Sequence, residues 1–89
     1  MRDAYLEVTY RHGKPFAAYY HLARASDHAV HHTRARDHGL VIDYAVDDQP
    51  IGIEITSPTE VTLAAFNTVL RELGQQPIAQ RDFAPLDAA

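Results

Sequence analysis

The chain contains no cysteine, which excludes disulfides, thiolate metal sites and a thiol nucleophile. Its four glycines are isolated from one another, so there is no glycine-rich loop to cradle a phosphate. Serine occurs only at Ser26 and Ser57, and Ser57 has a capping role described below, which leaves little material for a Ser-His-Asp triad. No apolar run approaches the roughly 18 residues of a membrane span. The opening residues, Met1-Arg2-Asp3-Ala4-Tyr5-Leu6-Glu7, lack the apolar stretch of a signal peptide. At 89 residues the chain is also too short for a (β/α)₈ barrel, which needs roughly 250. These absences predict one small cytoplasmic domain with no membrane anchor, no cofactor and no catalytic residue.

What remains is the composition of a folded globular domain, 46% hydrophobic and 22% charged. Residues 1–39 carry all six histidines and a formal charge of +2, while residues 40–89 carry −6, for a net −4. An acidic balance argues against nucleic acid as a partner.

Alternation of apolar and polar residues predicts five strands. Residues 4–10 turn Ala4, Leu6, Val8 and Tyr10 to one side. After an Arg11-His12-Gly13-Lys14-Pro15 turn, residues 16–22 turn Phe16, Ala18, Tyr20 and Leu22 to the same side. A five-residue loop there pairs Tyr10 with Phe16, Glu7 with Tyr19 and Tyr5 with His21. Residues 23–28 read as a loop and 30–36 as a polar strand. Leu40, Ile42, Tyr44 and Val46 face inward on the fourth strand, and Ile51, Ile53 and Ile55 on the fifth.

Ser57-Pro58-Thr59-Glu60 has the form of a capping box with proline at the first helical position. The helix it opens should run to about Leu73, with Val61, Ala65, Phe66, Val69, Leu70 and Leu73 as its apolar stripe. Gly74 suits the left-handed position after a helix, and Pro77 blocks continuation. The expected fold is α+β: a five-stranded antiparallel meander with one C-terminal amphipathic helix on one face. That helix should cover Leu6, Val8, Phe16, Tyr20, Ile42, Tyr44, Ile53 and Ile55. Residues 1–76 form the domain, and 77–89 a C-terminal tail that either folds back or awaits a partner.

The uncovered face holds the polar residues of interest. A 47–50 hairpin loop pairs Val46 with Ile51, which sets Asp43 opposite Glu54 and Ala45 opposite Gly52. Like charges in direct opposition are unfavourable and call for a basic neighbour, a cation or a raised carboxyl pKa. A two-residue His38-Gly39 turn supplies the neighbour by placing Arg34 opposite Asp43. Tyr19 and His21 share this face, two strands away. Tyr19, His21, Arg34, Asp43 and Glu54 are therefore the candidate binding residues, although such a row also describes a solvated charge network with an aromatic covering the glycine.

A second reading, a metal-binding protein or small metal-dependent enzyme, uses His21, His32, Asp43 and Glu54 as metal ligands, since imidazole and carboxylate groups converging on one point bind divalent ions. Four of the histidines, His28, His31, His32 and His38, fall within a short stretch, but no ligand motif of the H-E-x-x-H type accompanies them.

Gly39-Leu40-Val41-Ile42-Asp43-Tyr44, followed after a turn-containing spacer by Gly52-Ile53-Glu54-Ile55, resembles a family of small uncharacterised bacterial proteins. Its pattern is a hydrophobic run, Asp-Tyr, an acidic turn and Gly-Ile-Glu-Ile. Ala17-Ala18-Tyr19-Tyr20-His21-Leu22 is similar to an earlier strand of that family. The resemblance implies a small sheet-plus-helix domain without an established activity, and an antitoxin-like role as partner of a small toxin. The function expected from the residues themselves is a noncatalytic binding or assembly domain, homodimeric, with a small protein as a further possible partner.

Overall fold

A computed structural model describes residues 3–23 and 29–86. Five strands form one antiparallel sheet: β1 (Tyr5–Arg11), β2 (Lys14–His21), β3 (His32–Arg36), β4 (Leu40–Tyr44) and β5 (Pro50–Ile55). Helix α1 (Leu63–Glu72) packs on one face, and a short α2 (Gln80–Phe83) follows it. The loop expected over 23–28 lies outside the described residues except for Ala23, and so does His28.

The sheet and its covering helix are as the sequence implies, but the strand order is β1-β2-β5-β4-β3 rather than that of a simple meander. Hydrophobicity explains the difference. β5 carries Ile53 and Ile55, both fully buried, and occupies the centre. β3 is His-Thr-Arg-Ala-Arg, with no residue fully buried, and occupies an edge where charged side chains remain hydrated.

The core lies between the sheet and α1. Ala18, Tyr20, Leu22, Leu40, Ile42, Ile53 and Ile55 meet Val61, Phe66, Val69 and Leu70, with Leu6, Val8 and Tyr44 packed at the margin. Phe66 is its centre, edge-on to Tyr20 at 5.4 Å and tilted against Phe83 at 5.6 Å.

Phe16, expected in this core, is 51% exposed. A bulge pairs Thr9 with Ala17 but Tyr10 with Pro15. Pro15 becomes buried, and the extra residue, Phe16, turns outward under the Arg11 guanidinium, 4.4 Å from its ring centroid. Val46 is likewise displaced into the β4–β5 loop and is 75% exposed.

The helix begins later than the capping box predicts. Pro58–Glu60 forms a separate 3₁₀ turn in which the Ser57 side chain makes no capping bond. Thr62 is the actual cap, its hydroxyl accepting from the Ala65 amide at 3.1 Å. The far end behaves as read. Gly74 sits at φ +73°, Gln75 N–H bonds Leu70 O and Gly74 N–H bonds Arg71 O, the two bonds of a Schellman motif.

Beyond it the chain folds back. Ile78, Phe83 and Leu86 are buried in the same core, and residues 77–86 are thus packed into the domain. Asn67, buried on α1, fixes the return: its Oδ1 accepts from Ile78 N–H at 2.8 Å and its Nδ2 donates to Ile78 O at 3.2 Å.

Candidate functional site

The helix leaves the second face of the sheet open, and strand register decides what gathers there. Two neighbouring rows cross it. In one, Glu7 pairs with Tyr19, Tyr19 with Glu54, and Glu54 with Val41. In the next, Tyr5 pairs with His21, His21 with Gly52, Gly52 with Asp43, and Asp43 with Thr33. Because β2 and β5 are adjacent, Tyr19 and His21 lie beside Glu54 and Gly52 rather than two strands away.

Tyr19 is the keystone of this arrangement. Its ring leans across Gly52, and a Cβ added there would overlap the phenol. A residue without a side chain is therefore needed at this point in the strand. The tilt brings the Tyr19 hydroxyl to Asp43, where it donates to Oδ2 at 2.9 Å. Asp43 is only 3% exposed, and its other oxygen, Oδ1, is buried with no hydrogen-bond donor among the described residues. Glu54 stands diagonal to it on the same face. A hydrogen bond with Asp43, then burial, then the Asp43 charge hold the Glu54 carboxyl above the ordinary glutamate range. The neighbouring Asp43 carboxyl thus favours the protonated form of Glu54, which can then donate to it.

On the other side of Tyr19, His21 donates from Nε2 to Glu7 Oε1 at 2.8 Å. Tyr5 stacks on the His21 ring at 4.2 Å and 10°, and Tyr19 lies tilted against it at 4.6 Å. An open concavity of about 540 Å³ lies along these residues, lined by Glu7, Tyr19, His21 and Glu54 with the hydroxyls of Thr9 and Thr56 and the apolar Val30 and Ile51.

Comparison with family models, curated proteins and solved structures returns no match for this chain. The reading of the site therefore rests on its own geometry.

Four of the five candidate binding residues, Tyr19, His21, Asp43 and Glu54, come together on the open face. Arg34 does not. It pairs with Ile42, because the β3–β4 connection holds three residues, Asp37–Gly39, instead of two. Side chains alternate, so this one-residue difference carries Arg34 to the helix side of the sheet. His32 moves with it: it pairs with Tyr44, stacks on that ring at 4.9 Å, and faces Asp48 Oδ1 at 3.5 Å. The proposed ligand set His21, His32, Asp43 and Glu54 is thereby divided between two faces. Among the described residues no group of three or more histidine and carboxylate side chains is placed to hold a metal ion.

The last hairpin also differs in register. Asp43 faces Gly52, and a bulge then pairs Tyr44 with Pro50. The expected Asp43–Glu54 opposition becomes a diagonal contact, since a shift of two positions preserves the face. Ile51 is the extra residue of this bulge. It is buried but falls outside the helix-side core, and it lines the open concavity. Pro50 was the available signal, because proline cannot donate to a ladder and is accommodated at a bulge. Glu7 and Tyr5 join the site although neither was singled out beforehand; the β1–β2 register already placed them beside Tyr19 and His21.

Among the described residues no helix is long and apolar enough to cross a membrane.

Proposed function

We propose that the protein is a noncatalytic binding domain and that the open face of its sheet is the recognition surface. The observation that carries this reading is the concavity over β1, β2 and β5, whose polar side chains are held by one another: His21 by Glu7, and Tyr19 by Asp43. Groups fixed in this way present a preorganised surface, which lowers the ordering cost of binding. A mixed apolar and polar concavity of a few hundred Å³ is the usual size of a small-ligand site. An NMR fragment screen of the full chain tests the reading. Saturable shifts at the amides of Tyr19, His21, Gly52 and Glu54 are expected, and hits confined to the helix side would sink it.

Assembly into a homodimer is the second reading, favoured by the contrast between the two sheet edges. β3 is short and carries Arg34 and Arg36, whereas β1 is seven residues long and leaves Tyr5 and Tyr10 about half exposed. A long edge with exposed aromatic side chains invites pairing with a second copy. Light scattering from micromolar to millimolar concentration checks it, with a monomer throughout as the contrary result. The antitoxin-like role rests on the family resemblance alone, and copurification with a small neighbouring gene product would be its test.

A further inference from the structure

Among the described residues no strand pairs with the outer edge of β1, and five of its seven residues are exposed. The chain on either side of residues 24–28 is bonded elsewhere, Leu22 N–H to Ile51 O of β5 and His31 N–H to Tyr44 O of β4, on the far side of β2 from β1. Edge strands that stay single are commonly shielded by proline, lysine or a bulge. β1 has none of these. Its sequence is Tyr-Leu-Glu-Val-Thr-Tyr-Arg, and the bulge of the β1–β2 pair puts its extra residue, Phe16, on β2. The other edge, β3, carries Arg34 and Arg36 and no acid, so two copies of it repel. β1 carries one acid, Glu7, and one base, Arg11, and can meet a copy of itself without that penalty.

We infer that β1 pairs antiparallel with β1 of a second copy about a two-fold axis at Val8, joining the two five-stranded sheets into one continuous sheet. This rests on the reading of the protein as a homodimer and gives that dimer its interface and register. A two-fold axis normal to a sheet keeps corresponding faces on the same side, so only positions that differ by an even number meet. About Val8, Leu6 faces Tyr10, Glu7 faces Thr9 and Tyr5 faces Arg11 of the other copy, and all seven residues of the strand are paired. On the helix side Leu6 and Val8 already pack on the core, and the half-exposed Tyr10 gains an apolar neighbour across the joint. On the open side no like charges are opposed, and Arg11 lies diagonal to Glu7 of the other copy. With the axis at Glu7 the two carboxylates would face each other, and with the axis at Thr9 only residues 7–11 would pair. Parallel pairing would set the apolar row of one copy beside the polar row of the other.

The pairing uses backbone groups, so Glu7 keeps its bond to His21 and Arg11 its place over the Phe16 ring. Both open faces end on the same side of the joined sheet. Glu7 and Thr9 line the concavity, so each concavity gains Thr9 of the other copy at its rim, beside its own Glu7. The recognition surface of one chain is thereby extended by a residue of the second.

The absence of cysteine makes a crosslinking test clean. Residues directly opposite on antiparallel strands have Cβ atoms about 4.5–5.5 Å apart and diagonal ones about 7–8 Å, and a disulfide forms far more readily across the shorter gap. Full-length Glu7→Cys and Thr9→Cys chains, both substituted at exposed positions, are mixed with one of them isotopically labelled, oxidised and resolved by mass spectrometry. The mixed disulfide is expected to dominate over both self-links. Tyr10→Lys should raise the dimer dissociation constant by roughly tenfold or more in light scattering and leave the circular dichroism of the chain unchanged. A self-link of either cysteine variant in excess of the mixed one would overturn the register. A dimer that forms no disulfide at either position and is indifferent to Tyr10→Lys would overturn β1 as the interface and leave the homodimer reading standing. A monomer at every concentration would overturn both, and species growing beyond a dimer would overturn the closed two-fold.

Discussion

The two faces of the sheet are built on different physics. The helix side is held by area: Leu40, Ile42, Ile53, Ile55, Phe66 and Leu70 are all fully buried there. Apolar burial is non-directional, so small displacements on that side change its energy gradually. The open side is held by direction: a hydroxyl aimed at Asp43, an imidazole aimed at Glu7, and a glycine beneath an aromatic ring. Its interactions depend on angle and protonation state, which is what a recognition surface requires. The helix side makes the molecule stable, and the open side makes it particular.

The largest way to probe this contrast is Phe66→Ala. Phe66 is fully buried between Tyr20 and Phe83, and its truncation should destabilise by about 3–5 kcal/mol in urea unfolding. The open-face hydrogen bonds need no direct contact with Phe66, so a ligand of the open face should still bind the fraction that remains folded.

Gly52→Ala should follow, at about 1–3 kcal/mol, because the Tyr19 ring must move and Asp43 loses its donor. In a Tyr19→Ala background most of that penalty should vanish. A double-mutant cycle by urea unfolding measures the coupling, and a penalty that persists without the ring would show that Gly52 is needed for some other reason.

Third comes pH. The Glu54 pKa is higher in the folded chain than in the unfolded one, so the native state holds this proton more tightly. Its contribution to stability is fully present below the unfolded pKa and is lost as pH climbs through the folded one. Glu54→Gln should therefore flatten the acid-side dependence of the urea midpoint relative to the parent chain. An unchanged profile would remove the Glu54–Asp43 hydrogen bond from the account.

The smallest effect is expected at Arg36, which pairs with Glu72 of α1 at the solvent-exposed margin. Arg36→Ala should change stability by less than about 1 kcal/mol in the same assay, and less still at high salt.

Much of this division was visible in the residues. Period-two alternation identified all five strands, and the β1–β2 register held through Tyr5–His21 and Glu7–Tyr19 because both faces of that hairpin are patterned. Gly74 marked the helix end through its positive φ. Three features escaped for local reasons. The partner of β2 depends on competition between β3 and β5 for the centre, a global comparison of hydrophobicity that no single segment carries. The β3–β4 turn admits two or three residues with the same Asp-His-Gly sequence, and His38 adopts a left-handed conformation that a non-glycine residue seldom announces. Thr62 displaced Ser57 as the helix cap because Pro58–Glu60 closed its own 3₁₀ turn first. At the site, a register error of two left Asp43 and Glu54 together, whereas an error of one removed Arg34 and His32.

That last displacement has an electrical consequence. β3 turns Arg34 and Arg36 to the helix side, where Arg36 finds Glu72, and places Thr33 beside Asp43 on the open side. A new lysine or arginine at position 33 would therefore stand next to the Asp43–Glu54 pair, whereas the same charge at position 34 meets it only through the thickness of the sheet. One residue of turn length thus decides which charge substitutions on this edge the open face can feel.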